Sequence, residues 1–495
     1  MSPKIVPWAV VAATLAGAAW FAAAMTVGGD RSALLIGETT DAHHQIELAC
    51  ETCHAAPAFA SAAKAEKALN RACRKCHDKE LKAADDSHPR RKFRNPRMAV
   101  YWEKLDARLC TTCHVEHRPE IVRASAVTVA MDFCVACHSE GDQDVRAERP
   151  SHAGLAFDTC ASAGCHNYHD NRALYEEFLV RHAGEPWLAD APAHELSARQ
   201  RVRKRPARAA LARGDAVAPR AALADPAWLD RWADSGHAAA GVNCGACHAP
   251  KAGKNATRET VEASWIEAPG TAVCEDCHRP QARTFVLGRH GMRRHPRVAK
   301  PRDPLRQLRK IGLSEFVPET VALWLADPAP PTTMTVAEAR IPMRSDAAHG
   351  TLDCGTCHTP HAVDVRHAAA EACASCHDDP HTRAYFASPH HALWRAELAG
   401  EAPPGTGVSC ATCHMPKTER RGRIATDHNQ NDNLRPNEKM IRPVCLDCHG
   451  LGFSLNALAD GALVERNFTG TPAVRVESIG WATRRAQATK REAGG

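Results

Sequence analysis

The longest apolar run of the chain stands at its start. From Ile5 to Gly29 the sequence IVPWAVVAATLAGAAWFAAAMTVGG carries no charge, and about 20 apolar residues in a helix suffice to span a bilayer. Trp8, Trp20 and Phe21 lie near its two ends, where interfacial aromatics belong. With Lys4 on the inner side, the positive-inside rule predicts an inner-membrane anchor over residues 1–30 with the bulk of the chain in the periplasm. A cleaved export signal is the alternative, because Ala22, Ala23 and Ala24 offer small residues for processing; the protein would then be soluble in the periplasm.

Further along, shorter apolar stripes at helical spacing stand behind capping residues. Asp170 precedes Leu174, Phe178 and Leu179. Asp225-Pro226 opens a second helix with Trp228, Leu229 and Trp232 on one side and Gly236 as its stop. A third begins at Ser388 with Pro389 at its first position, which places His390 and His391 in the first turn, where only one of them can readily face a partner.

Composition changes the picture. The 495 residues are 44% apolar and 24% charged, as in an ordinary globular protein, yet they include 22 Cys and 29 His and only 5% aromatics. Every cysteine falls into one of eleven pairs, each followed at once by histidine. They are Cys50-Cys53-His54, Cys73-Cys76-His77, Cys110-Cys113-His114, Cys134-Cys137-His138, Cys160-Cys165-His166 and Cys244-Cys247-His248. The series continues with Cys274-Cys277-His278, Cys354-Cys357-His358, Cys373-Cys376-His377, Cys410-Cys413-His414 and Cys445-Cys448-His449. All but Cys160-Cys165 have the C-x2-C-H spacing.

C-x-x-C-H is the attachment signature of c-type haem. The spacing sets two thiols on one side of a short turn, where they add to the porphyrin vinyl groups, and the adjacent histidine points at the iron. Structural zinc also uses paired cysteines, but it does not require histidine directly after every second one. Redox-active dithiols fail on the same ground. For Cys160 and Cys165, with their longer spacing, a plain disulfide is the competing reading. The cofactor predicted is haem c, eleven copies.

Eleven haems between His43 and Gly450 leave about 37 residues for each, so neighbouring porphyrins must pack on one another and supply most of the apolar interior. The fold class predicted is mostly α, with a haem-packed core and little β structure. Two propionates per haem and one net charge per ferric centre turn the formal +6 of the chain into −5. The basic sequence is therefore no argument for nucleic-acid binding.

The motifs fall into two groups. The organisation predicted is an anchor over 1–30, a five-haem domain over 38–185, a basic linker and helix over 186–232, a six-haem domain over 233–455 and a tail over 456–495. The linker contains Arg199, Arg201, Arg203, Lys204, Arg205, Arg208 and Arg213 with no acidic residue among them. It reads as a solvated segment, or as a contact for propionates, anionic headgroups or an acidic partner. A second gap, 279–353, contains Arg293, Arg294 and Arg297.

Eighteen histidines remain for the far side of the irons, enough for every iron to be bis-histidine. Some precede a motif by a short interval: His43 or His44 before Cys50, His152 before Cys160, His237 before Cys244 and His349 before Cys354. Others follow a proximal histidine by three: His117, His169 and His361. These lie on the proximal side of their own haem and are predicted to ligate a neighbouring one. His290, His390 and His428 complete the predicted ligands, and His43 is chosen over His44.

The C-terminal half, from about His237 to Asp460, resembles the hydroxylamine oxidoreductase-like and cytochrome c nitrite reductase superfamily. The resemblance rests on Cys410-Ala-Thr-Cys-His-Met-Pro416, His428 and the closing Cys445-Leu-Asp-Cys-His449. The N-terminal part is similar to class III and membrane-anchored periplasmic multihaem cytochromes. The resemblance implies haem-packing architecture. It does not carry over a proximal lysine, since all eleven proximal positions are histidine, nor a cross-linking tyrosine, since none follows His449. The function expected is electron transfer between redox protein donors and acceptors in the membrane or periplasm, with no catalytic residue. The alternative is an oxidoreductase acting on a nitrogen or sulfur compound at one open haem.

Overall fold

The computed structural model describes residues 10–18, 35–57, 60–83, 86, 88–123, 126–130, 133–138, 168–169, 176–183, 185, 209–253, 256–298, 333–334, 336–347, 350–362, 365–420, 423–434 and 437–493. Cys160, Cys165, His166, His152 and His349 lie outside them, as do Asp170, Leu174 and the basic stretch 199–208. Residues 10–18 of the N-terminal apolar run are helical; the rest of that run also lies outside. Among the described residues no helix is long and apolar enough to cross a membrane.

The chain is mostly helical, and most helices are only one or two turns long. β structure among the described residues is limited to two antiparallel ribbons, Thr333–Met334 with Gly350–Thr351 and Lys417–Arg420 with Arg423–Thr426, and an isolated bridge between Met343 and His377. The chain divides into two compact units. One comprises residues 1–80, 106–129 and 292–332; the other comprises 81–105, 130–291 and 333–495.

In the first unit the helix Ala62–Ala83 contributes its N-terminal part. Asn70, at 1% exposure, joins it to the turn at Cys110. Its side-chain amide donates to the Glu66 carbonyl and the Thr111 hydroxyl, while its oxygen accepts from the backbone N–H of Cys110 at 2.5 Å. Residues 292–298 belong to this unit as well, and Arg293 Nε donates to the Gln45 carbonyl at 3.0 Å.

The second unit contains an apolar core built from Leu179, Met440, Ile441, Leu451, Leu455, Leu458, Ile479 and Ala482. Leu179 lies on the helix Glu176–His182, where the sequence stripe placed it, and is 2% exposed. Full burial of a leucine or isoleucine is worth roughly 1.5–3 kcal/mol, so this cluster ties the C-terminal helices to the last motif.

Capping residues set the helix starts. Asp225 accepts from Ala227 N, and the helix Pro226–Ala233 buries Trp232 while leaving Trp228 45% exposed. That helix ends at Ala233 and is not stopped by Gly236. Ser235, extended and accepting from Ala238 N, instead caps a new turn over Gly236–Ala239. A serine hydroxyl that satisfies an orphan N–H restarts a helix more readily than a glycine prolongs one. Ser388 likewise accepts from His391 N and opens the helix Pro389–Ala399, which Gly400 closes at φ +76°.

Candidate functional site

The Cys-His units share one local geometry. The histidine N–H returns to the carbonyl of the first cysteine at His54, His114, His138, His248, His278, His358, His377 and His449, with distances of 2.7–3.0 Å. This i to i−4 bond closes a single helical turn with both thiols beside it. His77 and His414 lie within regular helix, Ala62–Ala83 and Cys410–His414. No disulfide joins the cysteines among the described residues. Thiols of consecutive motifs lie near one another, Cys73 by Cys110, Cys274 by Cys354 and Cys373 by Cys410.

Each of nine motif histidines faces a second histidine at nearly constant separation. In the first unit His77 faces His43 with ring centroids 5.9 Å apart, and His54 faces His117 at 6.4 Å. In the second unit His138 faces His88 at 6.1 Å, His278 faces His237 at 6.2 Å and His248 faces His361 at 5.8 Å. His377 faces His290 at 6.0 Å, His358 faces His428 at 6.3 Å, His414 faces His381 at 6.2 Å and His449 faces His390 at 6.1 Å. With metal–nitrogen bonds of roughly 2 Å on each side and the depth of both rings added, two imidazoles trans on one metal have centroids about 6 Å apart. The separation is too wide for ring stacking and too regular for incidental packing.

The second nitrogen of these rings is held as a metal ligand requires. Nδ1 of His88, His117, His248, His381 and His428 meets the backbone carbonyls of Tyr168, Gly37, Ile266, Val464 and Thr426. Nδ1 of His43 and His77 meets the carboxylates of Glu116 and Glu80. A hydrogen-bonded Nδ1–H fixes the tautomer that leaves the Nε2 lone pair for metal. His381 is the exception, because its Nε2 accepts from the Asn467 amide at 3.1 Å and that bond would have to break before the ring could ligate. Burial lowers the pKa of His290 and His414 to about 4, which keeps both rings in the neutral form that ligates.

In the second unit a cavity of about 1900 Å³ runs past all six motifs from Cys244 to His449, and His237, His290, His361, His390 and His428 line it as well. Thiol pairs beside the turns, rings at trans-ligand spacing and one continuous space between motifs fit haem c.

One ring reaches its position from left-handed backbone, and three others from the first turn of a capped helix. His117 has φ 60°, and the Gly37 carbonyl it bonds belongs to a residue whose added Cβ would lie 2.8 Å from the His117 carbonyl oxygen. A non-glycine residue in the left-handed region costs energy and is retained where a site needs it. His237, His381 and His390 each occupy the second position of a capped helix, two residues after Ser235, Asp379 and Ser388.

Of the histidines expected from sequence to face a motif, the structure brings His43, His117, His237, His290, His361, His390 and His428 to one. His169 Nδ1 lies 3.1 Å from an Asp86 carboxylate oxygen, and its ring lies against that of Tyr168. His152 and His349 are outside the described residues, as is the Cys160 unit. His114 directs Nδ1 to the Ala126 carbonyl at 2.8 Å. Sequence reasoning left out His88 and His381, which face His138 and His414. For His381 a signal existed: Asp379-Pro380-His381 repeats the pattern of Ser388-Pro389-His390. For His88 no local pattern distinguishes it, since its partner and the Tyr168 ring stacked on it at 4.1 Å come from distant sequence.

Residues 42–139 match the family model described as cytochrome c3. The match lies in the part whose sequence is similar to class III cytochromes and does not reach the C-terminal half. It supports a multihaem c-type cytochrome that takes part in electron transfer. No curated protein and no solved structure matches the chain.

Proposed function

We propose that this protein is an exported undecahaem electron carrier, anchored by its N-terminal apolar run, that passes electrons between redox proteins at the membrane and in the periplasm. The observation that carries this reading is the set of nine histidine pairs near 6 Å. A metal held by two protein imidazoles would have no position left for a small substrate, which favours conduction over catalysis.

When bound, haem supplies a one-electron ferric/ferrous couple. The chain's own residues do the rest. The paired cysteines would tether each group, and the motif histidine with its facing partner would supply two ring nitrogens. Carbonyls and carboxylates on Nδ1 hold the rings in orientation and tune the basicity of the ligand. The Cys373–Cys410 and Cys274–Cys354 contacts bring consecutive attachment points together, as hopping between neighbouring centres requires.

Electron paramagnetic resonance of the oxidised, haem-loaded protein, combined with intact mass, tests the reading. Low-spin ferric signals from the great majority of centres and a mass increase of eleven haems are expected. A substantial high-spin signal with nitrite- or hydroxylamine-dependent turnover would replace the carrier with an oxidoreductase.

A further inference from the structure

Among the described Nδ1 bonds of the facing histidines, those of one pair end on a different kind of acceptor from the rest. Glu116 Oε1 lies 2.6 Å from His43 Nδ1, and Glu80 Oε2 lies 2.8 Å from His77 Nδ1. Both rings of the pair therefore donate to carboxylates. In the other pairs, each described Nδ1 bond ends on a backbone carbonyl: His88, His117, His248, His381 and His428.

The two carboxylates are held by separate means. Glu116 comes from the segment after the Cys110 motif and is clamped by Thr40, whose N–H and hydroxyl donate to it at 3.0 and 3.2 Å. Three donors therefore converge on this one carboxylate, the His43 ring and the N–H and hydroxyl of Thr40. Glu80 is on the same helix as His77, three residues on, where side chains face one another.

An imidazole that donates to a carboxylate is a more basic ligand than one that donates to an amide carbonyl. A more basic ligand, with a full negative charge behind it, favours the ferric over the ferrous state. We propose that Glu116 and Glu80 are positioning residues that act through His43 and His77 to make the centre attached at Cys73 and Cys76 a low-potential one. This rests on the ligand assignment above and adds to it a place in the electron path, at the reducing side. Arg297 and Lys75 act electrostatically on Cys76 in the opposite sense. They are unchanged when either glutamate is replaced, so a difference measurement isolates the carboxylates.

The test is a potentiometric titration of the full, haem-loaded chain, followed optically and by electron paramagnetic resonance, in the native form and in Glu116→Gln, Glu80→Gln and the double variant. Each single variant is expected to shift one and the same one-electron component to higher potential. The expected change is about tenfold in its oxidised-to-reduced ratio at fixed potential, or ~59 mV, with a larger shift in the double variant. The g-values of that component should change with it while the other components stay in place. A titration unmoved in Glu80→Gln, or different components moving in the two single variants, with the haem count unchanged, overturns the proposal alone. Glu80 is partly exposed on a helix surface, so its variant reports even if Glu116→Gln fails to fold. Absence of haem on the Cys73–Cys76 peptide of the native protein would instead overturn the ligand assignment beneath it.

Discussion

His390 and His449 face one another with ring centroids 6.1 Å apart, while the adjacent His391 turns the other way and meets the Phe386 carbonyl through Nδ1 at 3.0 Å. Neighbouring positions on a helix point about 100° apart, so only one of two consecutive histidines can address the space beside the last motif.

That difference gives the first prediction. His390→Ala should convert one low-spin centre to high-spin in the electron paramagnetic resonance spectrum, and His391→Ala should leave the spectrum as it was. Equal effects from both would separate His390 from the iron.

Attachment is tested at the Cys244 unit, whose histidine faces His361 at 5.8 Å. Replacing Cys244 and Cys247 by alanine should lower the covalent haem count by one in a pyridine haemochrome assay. An unchanged count would exclude this pair as an attachment site.

Gly288 approaches the segment that carries His428 too closely for any side chain. A Cβ there would lie 2.5 Å from the His428 carbonyl oxygen and 2.6 Å from Gln430 Oε1. Gly288→Ala should therefore cost about 1–3 kcal/mol by overpacking, and calorimetry should show a lower Tm. Because the backbone that moves holds His428, the variant should also alter the spectrum of one centre. A variant as stable as the native protein would show that the segment yields freely.

Asn70 satisfies both the helix that carries Cys73 and the turn that carries Cys110 from a position only 1% exposed. Asn70→Ala leaves buried N–H groups without their acceptor and should cost roughly 1–3 kcal/mol in chemical denaturation. Asn70→Asp keeps the acceptor and should lose less. Equal losses in the two variants would shift the cause from the accepted bonds to the donated ones.

Part of the site can be read without the fold. A Cys-x-x-Cys-His segment closes its own turn through an i to i−4 bond, as at Cys354 and His358, so local chemistry is sufficient to present two thiols and a ring. The capped helix starts at Asp225 and Ser388 are also local, because a side-chain oxygen reaches an N–H two or three residues on. The same device at Asp379 placed His381, and only the proline after the cap marks it in the sequence.

What the sequence by itself determined is the attachment chemistry, since each motif is a short-range object whose geometry depends on a handful of bonds along the chain. The tertiary structure decided the pairing. His361 follows His358 by three residues yet faces His248, and His358 faces His428 instead. A ring on the proximal side of its own motif cannot cross to the far side, so it must look to another, and which one depends on segments brought together through space. The same holds for the carboxylates behind His43 and His77: Glu80 is set by helix periodicity, whereas Glu116 reaches His43 only once Thr40 and the segment after Cys110 have packed together.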